Sequence, residues 1–328
     1  MTTSVEGNMS APLKKGLEKG GGHRLDVIIK RAENTQKLVA AVVQPTDPCS
    51  LNGALDAMRY GLIQPILVGD AAEIRAAADA HHLDIEGVAL VDAGHDAEAS
   101  QRGVDLVRTG QAHALMKGNL HTDAFMRPIV ARGSGLRTAR RMSHVFVLDT
   151  PAYSRLLLIT DAAINIAPDL SAKRDITQNA IDLARAIGID TPRAAIVCAV
   201  ETVTPALPST CDAAALCKMA DRNQIEGGLL DGPLAFDNAV SPDAVRAKGI
   251  VSAVAGQADI LVVPDLEAGN MLAKQIEYLA GAHLAGVVVG ARVPIMLTSR
   301  ADSALARLAS CAVAALYRQW QLGRTGIE

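Results

Sequence analysis

The sequence predicts an α/β protein with mostly parallel strands, and three observations predict it. Short apolar runs alternate with helical patterns almost from end to end, which is the signature of βαβ units. Hydrophobic residues make up 49% of the chain and aromatics only 2%. Ala, Val, Leu and Ile must therefore fill the interior, as in parallel sheets covered on both faces. The chain has 328 residues, enough for one large or two medium domains with ample core.

The elements follow in order. Strands are the short uninterrupted apolar runs at 38–43, 65–68, 88–91, 114–116, 144–148, 156–159, 194–200, 260–263, 287–289 and 294–297. Helices are the stretches between them, at 52–60, 71–80, 97–109, 170–187, 211–223, 243–249, 270–280 and 303–320. Two places break the alternation. Segment 134–168 holds two apolar runs with no room for a helix between them, and segment 281–298 holds two more joined by a short turn. Both predict adjacent antiparallel strands where the chain crosses between domains. The expected division is 1–150 plus 285–328 for a first α/β domain and 151–284 for a second one inserted in it.

Composition removes several classes of function. Net charge is −3, so no basic field exists to hold nucleic acid or an anionic membrane, and stacking aromatics are scarce. The five cysteines include no C-x-x-C pair, and their odd count argues against a disulfide framework. The first residues lack the apolar core of a signal peptide, and no apolar run is long enough to span a bilayer. A soluble cytoplasmic protein is expected. The phosphate loop G-x-x-x-x-G-K-[ST], the dinucleotide fingerprint G-x-G-x-x-G after a strand and H-E-x-x-H are all absent, and no metal ligand set is expected.

Six polar clusters remain, each expected at the carboxyl end of an apolar run, where parallel sheets bind ligands. Lys117-Gly118-Asn119 ends the run at 114–116; Lys117 reads as a cleft lysine or as a surface lysine in a turn. Arg137, Arg140 and Arg141 lie within five residues and suit an anion through their planar forks, or form a solvated patch. Asp161 follows an apolar run and must find partners, either an arginine or a turn to cap. Asp231 to Asn238 reads as a shaped loop, and Asn270 with Lys274 opens a helix. Last, the run at 294–297 ends in Thr298-Ser299-Arg300 just before the final helix. Free backbone N–H groups, a hydroxyl and a guanidinium there make an anion site. Ser299-x-x-Asp302 also reads as a capping box with Asp in the usual Glu position.

Taken together, the segments LMKGNLHTD (115–123), GLRTARRMSHVFVLD (135–149), TDAAINIAPD (160–169), ETVTPALPSTCDA (201–213), DGPLAFDNAVS (231–241), AGNMLAKQ (268–275) and VPIMLTSRADS (293–303) resemble the phosphate acetyltransferase and phosphate butyryltransferase family. The resemblance implies two α/β/α domains flanking a cleft, akin to isocitrate and isopropylmalate dehydrogenases, and a homodimer. It implies transfer of an acetyl or butyryl group from coenzyme A to phosphate through a ternary complex, with CoA as substrate and no permanently bound cofactor. Ser299 and Arg300 match the family's Ser-Arg pair at the phosphoryl and thioester groups. Arg137 lies in the segment carrying a substrate-binding arginine. Lys117, Asn119, Thr298, Asp161, Asn238, Asn270 and Lys274 are the other expected substrate contacts. The acetyltransferases carry an aspartate two helical turns beyond the Ser-Arg pair, as base toward the CoA thiol. Here that position is Arg307, which leaves Asp302 or a carboxylate of the other domain as the base. An acyl-cysteine route, a metal- and NAD-dependent hydroxy-acid dehydrogenase of the same fold, and a non-catalytic binder of CoA or acyl phosphate are the alternatives.

Overall fold

A computed structural model describes residues 24–298 and 302–325. Eleven strands form one sheet among these residues: β1 (Leu38–Val43), β2 (Ile63–Gly69), β3 (Ala89–Asp92), β4 (Ala114–Lys117), β5 (Ser143–Asp149), β6 (Leu157–Thr160), β7 (Arg193–Val197), β8 (Leu229–Leu234), β9 (Ile260–Val262), β10 (His283–Val289) and β11 (Ile295–Met296). The order across the sheet is β3-β2-β1-β4-β11-β10-β5-β6-β9-β7-β8. Strands β3, β2, β1, β4 and β11 are mutually parallel, as are β6, β9, β7 and β8. Three antiparallel pairings separate the sets: β11–β10, β10–β5 and β5–β6. Three reversals make the two parallel sets run in opposite directions.

Among the described residues eleven α-helices accompany this sheet: α1 (Arg24–Glu33), α2 (Pro48–Arg59), α3 (Ala71–Ala80), α4 (Asp96–Arg108), α5 (Thr122–Val130), α6 (Leu170–Ala186), α7 (Pro208–Asp221), α8 (Phe236–Val240), α9 (Pro242–Lys248), α10 (Leu266–Leu279) and α11 (Ala304–Thr325). Aspartates start several of them by accepting first-turn N–H groups. Asp47 takes those of Cys49 and Ser50 on α2, and Asp265 takes that of Ala268 on α10 at 2.8 Å. Asp149, at the end of β5, accepts the N–H groups of Arg24 and Leu25 and so anchors α1, an anion at a helix N-terminus.

The core is asymmetric. On one face a single apolar cluster runs the whole width, from Leu67 and Leu55 through Met116, Val287, Val145 and Leu158 to Ile196. On the other face the core divides in two. One part packs α4 and α5 on β1, β4 and β11, with Phe125, Leu115 and Ile295 at its centre. The other packs α8 and α10 on β6, β7 and β9, with Ile159, Leu261 and Ala273.

Both breaks in the alternation are the expected antiparallel pairs, β5–β6 and β10–β11. Four expectations change. Helix α5 is unanticipated because Pro128 sits inside it, and proline argues against a helix interior. Helix α1 lies in a stretch with no expected element. The expected loop at 231–238 is instead β8 followed by α8. β8 is the last strand of the sheet, and an edge strand tolerates proline, here Pro233. The final helix begins at Ala304, with the Ser303 hydroxyl accepting the Ala306 N–H at 3.2 Å. Ser303 therefore caps this helix, its oxygen three residues before that N–H, while Ser299 of the expected box Ser299-x-x-Asp302 lies outside the described residues.

After β4 the chain doubles tightly onto β1. The Gly118 N–H donates to Val43 O at 2.8 Å and the Asn119 N–H to Gln44 O at 2.6 Å. A Cβ at Gly118 would lie 2.4 Å from Gln44 O and 2.5 Å from Val43 O. Main-chain carbonyls inside a sheet cannot yield, so Gly118→Ala should cost on the order of 3 kcal/mol by overpacking. Urea unfolding measures this, and a midpoint equal to that of the parent would contradict the packing described.

Candidate active site

Between the two half-cores a cleft of about 380 Å³ opens beside β5. Lys117, His144, Phe146, Lys274, Thr298 and Asp302 are among its walls. Lys117 ends β4 and is 5% exposed; its Nζ donates to the carbonyls of Gly118 at 3.3 Å and Thr298 at 3.4 Å. The lysine thus joins the end of β4 to the segment after β11. Thr298 is 3% exposed, and its hydroxyl accepts from Arg307 Nη1 at 3.2 Å. Arg307, on α11, is itself buried. A guanidinium therefore stands where the relatives' base aspartate was expected, and it ties α11 to the Thr298 segment.

Helix α10 supplies the opposite wall. Asn270 donates to Ala162 O at 3.2 Å, and Lys274 pairs with Glu277 at 2.8 Å while its Nζ lies 5.8 Å from the Tyr278 ring centroid. Asp302 lines the cleft just before α11 begins. Ser299 and Arg300, the central pair of the sequence reading, lie outside the described residues.

Five expected residues meet in this cleft: Lys117, Thr298, Asn270, Lys274 and Asp302. Others do not. The end of β6 lies level with the end of β4, since Met116, Met296, Val287, Val145 and Thr160 stand in one row. Ala163 after β6 lines the cleft, but Asp161, Asn238 and Asn119 turn to other partners. Asp161 follows β6 and accepts the N–H groups of Ala163, Ile164 and Asn165 at 3.0, 3.1 and 3.0 Å, and that of the Asn165 amide. Burial pushes its carboxyl up from the usual range, against the pull of these four donors. In this arrangement it shapes its own loop. Asn238 is fully buried on α8, with Nδ2 3.5 Å from Glu201. Both were expected at the substrate and neither lines the cleft. Asn119 donates to the Thr46 hydroxyl at 3.3 Å instead.

Arg137 is exposed in an adjoining hollow of about 470 Å³ shared with Arg140, Arg141 and Asn165. Ala163 lines the cleft and Ile164 lines this hollow, so consecutive residues border the two cavities.

Sequence reasoning missed His144 and Phe146, which stand two apart on β5 and share the face that borders the cleft. Their signal was the alternation in SHVFVLD, where His144 and Phe146 take one face while Val145 and Val147 take the continuous core. Their rings meet edge to face with centroids 4.4 Å apart. Burial, and secondarily the Lys274 charge, pushes His144 down to about 3. It is neutral at ordinary pH.

No cysteine lines the cleft among the described residues. Burial pushes the thiols of Cys217 and Cys311 up to about 12 and raises that of Cys198, the reverse of what a nucleophilic thiolate needs. Among the described residues no three His, Cys, Asp or Glu side chains converge to hold a metal ion, and no helix is long and apolar enough to cross a membrane.

An α/β sheet with a cationic cleft across its reversing strands defines a class of proteins that bind small anionic substrates between two half-cores. The family model described as phosphate acetyl/butaryl transferase matches residues 95–315. The chain is 58% identical to the phosphate acetyltransferase of Rhizobium meliloti over 90% of its own length and 93% of the relative's. It is 42% identical to the phosphate butyryltransferase of Clostridium acetobutylicum, over 89% of its length and 96% of the relative's. A branched-chain phosphotransacylase from Enterococcus faecalis superposes with a TM-score of 0.75 at 30% identity, over 86% of this chain and 99% of that one. The chain belongs to the phosphate acetyl- and butyryltransferase family.

The buried neutral imidazole has a consequence for acid stability. Its folded pKa of about 3 lies below the ordinary value of 6.5, so the unfolded chain binds one more proton between these limits. The related stability is complete above pH 6.5 and is lost as pH falls toward 3. Between pH 7 and 5 the loss from this group should be about 2 kcal/mol. His144→Phe should lose correspondingly less over that interval in urea melts; an equal loss in both proteins would mean the imidazole is not held neutral.

Proposed function

We propose that the chain catalyses acyl-CoA + phosphate = acyl phosphate + CoA for short acyl groups, through a ternary complex in the cleft beside Thr298. One observation carries the reading: in a member of this family, two lysines and the segment leading to Ser299-Arg300 meet in one cleft. Phosphate binds near Lys117 and Arg300, whose charges offset the repulsion that keeps a dianion away from a thioester bearing its own phosphates. Positioning then supplies much of the rate. A phosphate oxygen attacks the thioester carbonyl carbon, a C–O bond forms, and the carbonyl π pair moves to oxygen. Collapse breaks the C–S bond and releases the CoA thiolate, which takes up a proton. The Ser299 hydroxyl or a nearby N–H stabilises the tetrahedral oxyanion. In reverse, Asp302 draws the proton from the CoA thiol, whose unperturbed pKa is about 8.5.

Next to Ala163, Ile164 borders the hollow with Arg137 and Arg141. Its arginines suit the phosphates of CoA, which would leave the thioester at the Thr298 end. The relatives named for acetyl transfer include one at 58% identity and those named for butyryl transfer stand at 42%, so acetyl-CoA is the preferred substrate in this reading. A CoA substrate calls for a cytoplasmic location. Two α/β domains, 1–150 with 285–328 and 151–284, meet along β5 and β10 in this account. Nine of the twelve large exposed apolar side chains among the described residues lie within 151–284, including Ile166, Val203, Val251, Met271, Tyr278 and Leu279. Such clustering favours self-association, and a homodimer through the second domain is proposed.

A thiol-release assay over a series of acyl-CoA chain lengths, with and without phosphate, tests the activity. Phosphate-dependent release should be greatest for acetyl-CoA; release indifferent to phosphate would refute the reaction. Arg300→Ala should lower turnover at least about 100-fold, the scale of losing one main electrostatic contact to the transition state, with circular dichroism unchanged. Lys117→Met should mainly raise the KM for phosphate, by about tenfold if one charged contact is lost. An unaltered phosphate KM would remove Lys117 from the anion site.

A further inference from the structure

His144 is a polar ring in a place where an apolar one would pack at lower cost. It is 1% exposed, and its Nδ1 is buried with no hydrogen-bond partner. Burying an unsatisfied polar atom is unfavourable, so packing alone does not account for an imidazole there. The surroundings are shaped to accept it. The ring lies over Gly286 on β10, where a Cβ would come within 3.1 Å of Nε2 and 3.5 Å of Cε1. Any other residue at 286 would crowd the imidazole. Phe146 holds it edge to face at an interplanar angle of 74°. What exposure remains belongs to the cleft, whose wall it forms.

The tautomer follows from the orphaned atom. A buried N–H without an acceptor is rarer and costlier than an acceptor without a donor, so Nδ1 carries the lone pair and Nε2 the proton. The ring is neutral at ordinary pH. The cleft therefore has two kinds of polar group. Lys117 and Lys274 are cations suited to phosphate. His144 is an uncharged donor set among apolar walls, Leu120, Phe146, Ala163 and Leu297, which suit an acyl chain.

We propose that His144 donates a hydrogen bond from Nε2 to the acyl oxygen of the substrate and stabilises the charge that develops on it. The proposal rests on the acyl-transfer reading above. During addition of phosphate the carbonyl π pair moves onto this oxygen while Nε2 keeps its proton; when the C–S bond breaks the pair returns. A neutral donor does this without competing with the lysines for the phosphate. Histidine 144 is then a catalytic residue that acts on the carbonyl, with Phe146 and Gly286 fixing its ring.

Two measurements test this. In steady-state assays with acetyl-CoA and phosphate, His144→Phe should lower kcat about 100-fold, the loss typical of one oxyanion donor, with the phosphate KM changed less than about twofold. His144→Gln, whose amide N–H falls near the Nε2 position, should recover about tenfold of that loss. A kcat within about threefold of the parent in His144→Phe, or no recovery in His144→Gln, would overturn the proposal. Independently, ¹⁵N spectra of the unmodified protein should show a neutral Nε2–H imidazole for His144. Its Nε2 should shift on adding an acyl-CoA analogue with methylene in place of the thioester sulfur, and not on adding CoA. An equal response to both would also overturn it. Should His144→Phe fail to fold, the spectra decide. Should the parent release no CoA with phosphate, the activity reading fails, and the analogue titration still decides whether His144 meets an acyl oxygen.

Discussion

The structure depends on one constraint: β5 and β10 face a single continuous core on one side and are shared between two separate cores on the other. Their inward side chains, Val145, Val147, Ala285 and Val287, belong to the single core that runs the width of the sheet. That continuous face, with α11 laid along it, holds the two parallel sets together. On the opposite face the core divides in two, with Val288 in one part and Phe146, Leu148 and Leu284 in the other, and the cleft opens between the parts. A cleft at the reversal is therefore a product of topology. Side chains facing it need not serve the core, which is why two lysines, a threonine and a histidine can stand there.

The same topology sets which charges meet. The segment after β11 is tied from two sides, by Lys117 through the Thr298 carbonyl and by Arg307 through the Thr298 hydroxyl. Both cations are buried, where electrostatic contacts are strong and screening is weak. Their joint effect is to fix the chain just before Ser299 and Arg300 while leaving positive potential in the cleft. Arg307 illustrates how a departure from a family pattern can be structural. Where relatives were expected to carry an acid, this chain uses a guanidinium to hold the loop, and the acid nearest in sequence to the cleft is Asp302.

Much of this was legible in the sequence. Apolar runs such as LVAAVV at 38–43 coincide with β1, and the two breaks in strand–helix alternation coincide with the antiparallel pairs. Lys117 and Thr298 were recognisable because each closes a buried run. Side-chain direction was not legible: Asp161 follows β6 as expected but spends its carboxylate on its own loop, and Asn238 is buried on α8. His144 and Phe146 were hidden for a related reason. An alternating strand has two faces, and nothing in SHVFVLD says which of them borders the cleft. Proline misled twice, at Pro128 within α5 and at Pro233 on the edge strand β8.

The most direct measurement of the central claim is a crystal structure of the full chain with inorganic phosphate and CoA bound together. Phosphate should lie between Lys117 and the segment after Thr298, with the CoA sulfur within contact distance of it and the remainder of CoA running past Ala163 toward Arg137. Phosphate bound at another location, with side chains filling the cleft beside Lys117 and Thr298, would contradict the account.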